Sequence, residues 1–400
     1  MESSFVEVDV KLKKKVLFVT PSLRQGGVEH SLITALRVLD PSKYDITLYL
    51  YTDMLDLLSQ VPEYVNVIVG MDKTRYFRKP LPLLFTILYQ LMMFFKLDKQ
   101  AKKINEITYS YIHKKKIVYP SKRYFKNVDF DSIVSYSLHI GTEMALKIKA
   151  NNYYVFMHSS DPNYHNKTAL KTFDKYNKIV FVSDAVKRVH ENLYSQFIDK
   201  MTVINNYIDA ERIINMSVSK VSIDNSKDVI LCTCGRLSKE KGFDLAVESA
   251  NILNQKGINF IWYFVGDGDE KSSLEKKISD YNLDKRITIT GYQENPFSYI
   301  RACDIYIQPS YEEAQPLTIL EAMVIGKPII STKTVGGKNI LKNGKLGVLV
   351  NIDSVSLTEG ILLLINDYDL KKSFEHVYTI EQNIKEKQIY IEKWNNLLQI

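Results

Sequence analysis

Two carboxylates eight residues apart, Glu313 and Glu321, bracket a point where a helix should begin. Pro316 suits a first helical position, and Gly326 with Pro328 stops the helix. Glu313 then falls in the preceding loop and Glu321 in the second turn, with Leu317, Leu320 and Val324 on one apolar face. A helix start offers unpaired amide N–H groups and the positive end of a dipole, which together suit a phosphate. Pro316 has no N–H, so Leu317 and Thr318 are the expected backbone donors, with the Thr318 hydroxyl as a further one. A phosphate held there leaves both carboxylates for hydroxyl groups on either side of it, as in a nucleotide sugar. Spacing alone fits a solvated loop carboxylate and an ordinary surface one at least as well.

A second group of chemically able residues lies in Gly235-Arg236-Leu237-Ser238-Lys239-Glu240-Lys241-Gly242. This loop leaves an apolar run and enters a helical pattern, at the strand end where open α/β sheets bind ligands. Arg236 can grip a diphosphate as a fork and Lys241 as a point charge. Solvated surface charge is the plainer alternative. The pair Gly26-Gly27 permits close backbone approach to an anion or a sugar, or makes a simple turn. Gly266-Asp267-Gly268 and Gly291-Tyr292 are turns first, with backbone contact to a base or ribose as a second use.

These residues need a scaffold of alternating strands and helices. Val16–Thr20 reads as a buried parallel strand, followed by a helix from Val28 to Leu39 and a strand from Ile46 to Tyr51. Further strands are expected at Asp131–Tyr136, Tyr153–Met157, Lys178–Ser183 and Met201–Ile204, with a helix from Asp184. A polar linker, 217–227, separates this first domain (1–216) from a second (228–384). In the second, strands at Asp228–Cys234, Phe260–Val265, Arg286–Thr290 and Asp304–Gln308 alternate with helices, one of them from Lys241 to Gln255. The fold class is α/β, with two Rossmann-like, doubly wound parallel sheets facing a central cleft. A last helix, 385–400, holding Tyr390, Trp394 and Leu398, should cross back onto the first domain.

The stretch Ser310–Pro328 resembles the E-x7-E signature of retaining glycosyltransferases of the GT-B fold, family 4, whose usual form is S-x-x-E-G-F-G-L-V-x-L-E-A-M-x-x-G-x-P. Ser310, Glu313, Leu317, Leu320, Glu321, Ala322, Met323, Gly326 and Pro328 match; Ala314, Gln315 and Pro316 replace Gly, Phe and Gly. The departure falls where family amides approach the donor sugar. Gly235-Arg236-Leu237…Lys241-Gly242 is similar to the family's G-R-L-x-x-x-K-G. Gly266-Asp267-Gly268 with Leu274 and Glu275 resembles G-D-G-x-x-x-x-x-L-E. Gly26-Gly27-Val28-Glu29-His30 resembles G-G-x-E-R with His for Arg. Val182, Ser183 and Lys187 match V-S-x-x-x-K, and Asn206 with Asp209 match N-x-x-I/V-D.

The resemblance implies sugar transfer with retention and without a metal or cofactor. The donor would be a nucleotide sugar, UDP- or GDP-linked, and the acceptor a saccharide, lipid-linked in bacterial-type surface glycan synthesis. Arg236 and Lys241 would offset charge on the leaving diphosphate, with the amides of Leu317 and Thr318 assisting. Glu313 would orient donor-sugar hydroxyls, Glu321 the ribose hydroxyls, and Gly291-Tyr292 would border the base. A lone His is more often structural, but the family places one in the loop after this strand, so His158 would help position the reacting sugar; His139 and His165 are less favoured. The leaving phosphate itself would take the acceptor proton, so no protein nucleophile is assigned. Two rival readings are a nucleotide-sugar 2-epimerase of the same fold and a sugar-nucleotide-binding protein without catalysis.

Composition agrees with an ordinary two-domain globular chain: 400 residues, 45% apolar and 25% charged. Cys232, Cys234 and Cys303 cannot all pair within the chain, and the first two alternate along a strand, so buried thiols in a reducing compartment are expected. Residues 1–14 lack the apolar core of a signal peptide, so the sequons at Asn166 and Asn215 carry no expected glycan. No Ser-His-Asp set, zinc-ligand cluster or P-loop is present. The net charge of +7 is uneven: lysines and arginines from Lys73 to Lys126 face only Asp98 and Glu106. That asymmetry suits an anionic surface, and no nucleic-acid-reading module accompanies it. Within it, 80–95 is the most apolar stretch, either a core helix of the first domain or a helix in a membrane interface flanked by lysines. The expected location is cytoplasmic, with peripheral attachment to the inner face of the plasma membrane.

Overall fold

The computed structural model describes residues 12–24, 26–70, 124–138, 140–160, 172–221 and 229–399. The apolar stretch 80–95, His139, His165, the Asn166 sequon and all but the end of the basic segment 73–126 lie outside the described residues.

The first domain is a seven-stranded sheet in the order β3-β2-β1-β4-β5-β6-β7. Its strands are β1 (Lys14–Thr20), β2 (Tyr44–Leu50), β3 (Asn66–Val69), β4 (Phe130–Ser135), β5 (Ala150–Met157), β6 (Lys178–Phe181) and β7 (Met201–Val203). Every pairing is parallel. The central strand β1 is apolar throughout its middle, and Val16 to Phe18 are fully buried between the layers on either face. Helices α1 (Gly27–Val38), α2 (Ile140–Ala145) and α3 (Asp184–Glu191) lie between these strands, and α4 (Ala210–Ser217) follows β7 and buries Ala210 and Ile213 in the core of the second domain. Ser183 and Asp209 cap α3 and α4, accepting from the N–H groups of Val186 and Arg212.

The second domain repeats the plan with six parallel strands, β10-β9-β8-β11-β12-β13. These are β8 (Val229–Cys234), β9 (Phe260–Val265), β10 (Ile287–Gly291), β11 (Ile305–Gln308), β12 (Ile329–Thr332) and β13 (Val348–Val350). The helices that bear on the site are α5 (Phe243–Gln255), α6 (Lys271–Asp280), α7 (Phe297–Ala302) and α8 (Leu317–Ile325). Both sheets reverse their winding beside the first strand, between β1 and β4 and between β8 and β11. The carboxyl ends at these two reversals are where such sheets open a binding crevice.

Three local expectations need correction. The helix expected from Lys241 begins at Phe243; Lys239–Lys241 form a single 3-10 turn closed by Gly242 at φ +66°. A side chain there would meet the Pro309 carbonyl as well as the left-handed strain. Helix α8 is buried on most sides (Leu317, Ile319, Ala322, Met323, Val324 and Ile325), with Leu320 only partly so; a short apolar helix wedged between layers shows no single face. The last helix, α9 (Ile380–Gln399), starts before the expected 385. It leaves the second domain and buries Tyr390, Trp394, Leu397 and Leu398 in the core of the first, beside Phe18 and Tyr136. Asn383 secures the crossing, donating to the Ile208 carbonyl at 2.8 Å and accepting from the Tyr207 hydroxyl at 3.0 Å.

Candidate functional site

A cleft of about 1150 Å³ runs between the carboxyl ends of the two sheets. From the second domain it is lined by Gly235, Arg236, Lys241, Gly266, Tyr292, Glu313, Ala314, Gln315, Leu317, Thr318 and Glu321, and from the first by Gly26, Gly27 and His158. Residues spread over nearly three hundred positions thus converge. Gly291 is not on the cleft wall: its carbonyl accepts the Gly266 N–H at 3.1 Å, which fixes the turn beneath the site. Gly266 is needed at that turn, because a Cβ would run into the Gly235 carbonyl.

Glu313 is not a solvated loop carboxylate. It is buried, and its Oε1 accepts from Lys241 Nζ at 2.7 Å, Ser310 Oγ at 2.9 Å and Gln308 Nε2 at 3.0 Å. Gln308, the last residue of β11, organises the loop from below, with its Oε1 accepting from the Tyr306 and Thr318 hydroxyls. The Thr318 hydroxyl, expected to face a phosphate, is therefore committed to Gln308. The backbone at the start of α8 is a different matter. No side chain caps this helix, so its first amides remain available at the cleft wall.

The first domain meets this loop directly. Glu312 accepts from the Ser159 and Ser160 hydroxyls at 3.3 and 3.2 Å, and the Gln315 side-chain oxygen accepts the Asn206 N–H at 3.1 Å. Gln315, which stands where the family has Phe, thus ties the two domains together. Gly26 lies under the Arg236 guanidinium: a Cβ there would stand 2.8 Å from Arg236 Nη2 and 2.5 Å from Glu29 Oε2. Around Gly27 nothing lies within 4 Å of that position, so its backbone is open to the cleft.

Burial tunes several cleft groups, and lowers His30 to about 4. Desolvation pushes the Glu321 carboxyl up to about 7, opposed by Arg212. It raises Glu29, with the local backbone, Arg236 and Arg24 pulling the other way. It lowers His158 to about 4, against a hydrogen bond to the Tyr136 backbone. His158 is therefore neutral, and its buried Nε2 has no hydrogen-bond partner among the described residues. An orphaned acceptor on a cleft wall calls for a donor from a ligand, such as a sugar hydroxyl.

Sequence reasoning missed Glu29, Arg24, Arg37 and Arg212 as cleft residues. Glu29 stood within a recognised segment and could have been found by placing it one turn after the glycine pair. Arg212 gave no signal, since only the packing of α4 against α8 brings it to Glu321. Among the described residues, no group of three His, Cys, Asp or Glu side chains is placed to hold a metal ion. The three cysteines are buried and unpaired, with Cys232 Sγ 3.6 Å from Cys234 Sγ.

Comparison with known proteins adds an independent line. The family described as Glycosyl transferases group 1 matches residues 217–377, the second domain with all its loops. The chain is 26% identical over 174 residues to the lipopolysaccharide core biosynthesis glycosyltransferase LpsE of Rhizobium meliloti, covering 43% of this chain and 49% of that protein. It is 28% identical over 176 residues to the UDP-Gal:alpha-D-GlcNAc-diphosphoundecaprenol alpha-1,3-galactosyltransferase of Escherichia coli, covering 42% and 46%. The chain spans about a third to two thirds of the length of the curated relatives it matches. Among solved structures, Anabaena Alr3699/HepE in complex with UDP-glucose superposes with a TM-score of 0.68 at 18% identity, over 96% of this chain and 100% of that one. At that identity the likeness shows the fold, which is GT-B.

Proposed function

We propose that this chain, with its GT-B fold and a second domain matching the group 1 glycosyl transferases, is a retaining glycosyltransferase of family 4. It takes a sugar from a UDP- or GDP-linked donor and passes it to a saccharide acceptor, lipid-linked, in the assembly of a surface glycan. One arrangement carries the reading: an uncapped helix start, Arg236, Lys241 and His158, whose buried Nε2 has no hydrogen-bond partner among the described residues, all line one cleft. A lipid-linked acceptor is supported by one relative, which is named for a diphosphoundecaprenol-linked sugar.

In this reading the donor diphosphate lies at the amides of Leu317 and Thr318. Arg236 and Lys241 offset the charge that grows as the glycosidic bond breaks, where fixed cations are most effective. Lys241 has three donors, so it can keep its bond to Glu313 while contacting the diphosphate. Glu313 holds that ammonium in place, and its second oxygen is available to a donor-sugar hydroxyl. His158 Nε2 accepts another. Glu321 takes the two ribose hydroxyls, with Tyr292 near the base. The cations are the protein's own, so turnover should be unchanged by EDTA; loss of activity on chelation with recovery on adding a divalent ion would contradict this.

The Glu321 assignment predicts a pH dependence. Burial pushes its carboxyl up to about 7, and only the carboxylate accepts from both ribose hydroxyls. Donor affinity should therefore fall as pH drops below 7, by up to about tenfold per unit for one linked proton. Calorimetry of UDP or GDP binding between pH 5.5 and 8.5 reads this directly. Glu321→Gln should bind more weakly, at a cost of about 1.5–3 kcal/mol, and should show a flat profile. A wild-type profile that is already flat would remove Glu321 from the ribose.

A panel of nucleotide sugars screened by thermal unfolding identifies the donor. A ligand at a hundredfold excess over its Kd adds about 2.7 kcal/mol of stability. The basic segment 73–126 suits an anionic membrane by composition, which would bring the first domain to a lipid-linked acceptor. Vesicle co-sedimentation should then require anionic lipid, weaken in high salt, and fall when Lys99, Lys102 and Lys103 become Glu; equal recovery on neutral vesicles would rule it out.

A further inference from the structure

His158 rests on a stack of aromatic rings whose lowest member comes from the other end of the chain. Its imidazole lies 5.0 Å from the Tyr136 ring and 6.1 Å from the Phe156 ring, nearly parallel to the latter at 24°. Tyr136 and Phe156 stack on one another at 4.8 Å. Beneath them the Trp394 indole lies parallel to Phe156 (5.1 Å, 13°) and to Tyr136 (6.5 Å, 11°). Phe18 packs against both the indole, at 5.7 Å, and the Tyr136 ring, at 6.3 Å. Trp394, Tyr136 and Phe156 are all at most 1% exposed, so each ring has one place to be.

Tyr136 joins the stack to the rest of the cleft. Its hydroxyl pairs with Ser31 Oγ at 2.9 Å, on the α1 helix that begins at the glycine pair. Its backbone hydrogen-bonds to His158, which leaves Nε2 as the ring atom without a partner. The backbone bond fixes one nitrogen but leaves the ring's tilt to its packing. That packing is the Tyr136 and Phe156 rings, tilted 46° and 24° from the imidazole, and Trp394 lies against both of them.

We propose that Trp394 is a positioning residue for His158: through the Tyr136–Phe156 stack, the crossing helix α9 sets the tilt that aims Nε2 into the cleft. The inference rests on the assignment of His158 to the donor-sugar pocket made above. It gives the crossing helix a role beyond joining domains, since a segment continuous with the second domain completes the first domain's half of the site.

The test uses the full chain and donor hydrolysis, with Trp394→Leu, Trp394→Phe and His158→Ala. Trp394→Leu should lower kcat by about tenfold to hundredfold, the effect of misaiming a group by a fraction of an ångström to an ångström, while donor KM stays within about twofold. In ¹⁵N–¹H spectra of the side chain, His158 should change from one fixed tautomer to an averaged signal. Trp394→Phe, which keeps a flat ring, should restore most of both. Should Trp394→Leu fail to fold, Phe156→Leu breaks the same stack at a second place and must give the same split. Wild-type kcat and an unchanged His158 signal in the Leu variant would overturn the proposal. So would equal losses in the Leu and Phe variants that follow only the folded fraction. If His158→Ala is inactive and Trp394→Leu active, the stack alone is struck; if His158→Ala turns over normally, the pocket assignment itself falls.

Discussion

Arg236→Ala and Lys241→Ala are each expected to lower kcat by about 10²–10³-fold, with a much smaller rise in donor KM, because one preorganised charge facing a developing anion contributes that much. The asymmetry follows from timing. The ground-state diphosphate is already solvated and partly held by helix amides, whereas the breaking bond adds charge at the oxygen these cations face. Arg236→Lys should recover little, since a point charge does not reproduce a fork. Lys241→Arg should also be poor, because the Lys241 ammonium fits a 2.7 Å contact with buried Glu313. Steady-state donor hydrolysis by each variant measures both constants. Near-normal kcat in either would reduce that residue to a surface cation.

Glu313→Ala is the second large effect, and it should appear in stability and turnover together. The substitution leaves Lys241, Ser310 and Gln308 without their shared acceptor. Unmet buried donors cost about 1–3 kcal/mol; Lys241 remains partly exposed and can recover water, which holds the total near the lower part of that range. Loss of the anchor also frees Lys241 to wander, so kcat should drop by about 10²-fold. Glu313→Gln separates the two effects. An amide oxygen can still accept from Ser310 and Gln308, so stability should return, while the ion pair and therefore much of the rate should not. Urea unfolding beside kinetics makes the comparison. Full activity in Glu313→Gln would mean that the carboxylate's charge has no part in holding Lys241.

Much of the second domain was legible in sequence because its chemistry sits in short contiguous runs. Gly235–Gly242 and Ser310–Pro328 each carry their own turn residues, cap and charges, and the structure brings both to one cleft. What stayed hidden is non-local. Nothing in the spacing says that Thr318 spends its hydroxyl on Gln308, ten residues back across a strand end. Arg212 meets Glu321 only through helix packing, and Gln315 ties to Asn206 only when the domains close. Gly291 takes the turn role that was read for it first, its carbonyl accepting the Gly266 N–H, while Tyr292 beside it lines the cleft. Short strands such as β12 and β13, four and three residues long, fall below the length at which periodicity can separate them from loops. The role of Trp394 was the least readable, since aromatic residues 258 and 238 positions before it form its stack, and only Tyr390 and Leu398 marked its helix as buried.

The most direct test of the central claim follows wild-type protein with a panel of UDP- and GDP-sugars by ¹H NMR, with water as the acceptor. One donor is expected to be cleaved to its nucleoside diphosphate and free sugar in equal amounts. The sugar should be released first in the donor's own anomeric configuration, and Arg236→Ala should slow the reaction by about 10²–10³-fold. Release of the opposite anomer would contradict retention, and conversion of the donor to its 2-epimer would make the protein an isomerase. No cleavage of any donor that the protein binds would leave a cleft that holds nucleotide sugars without transferring them.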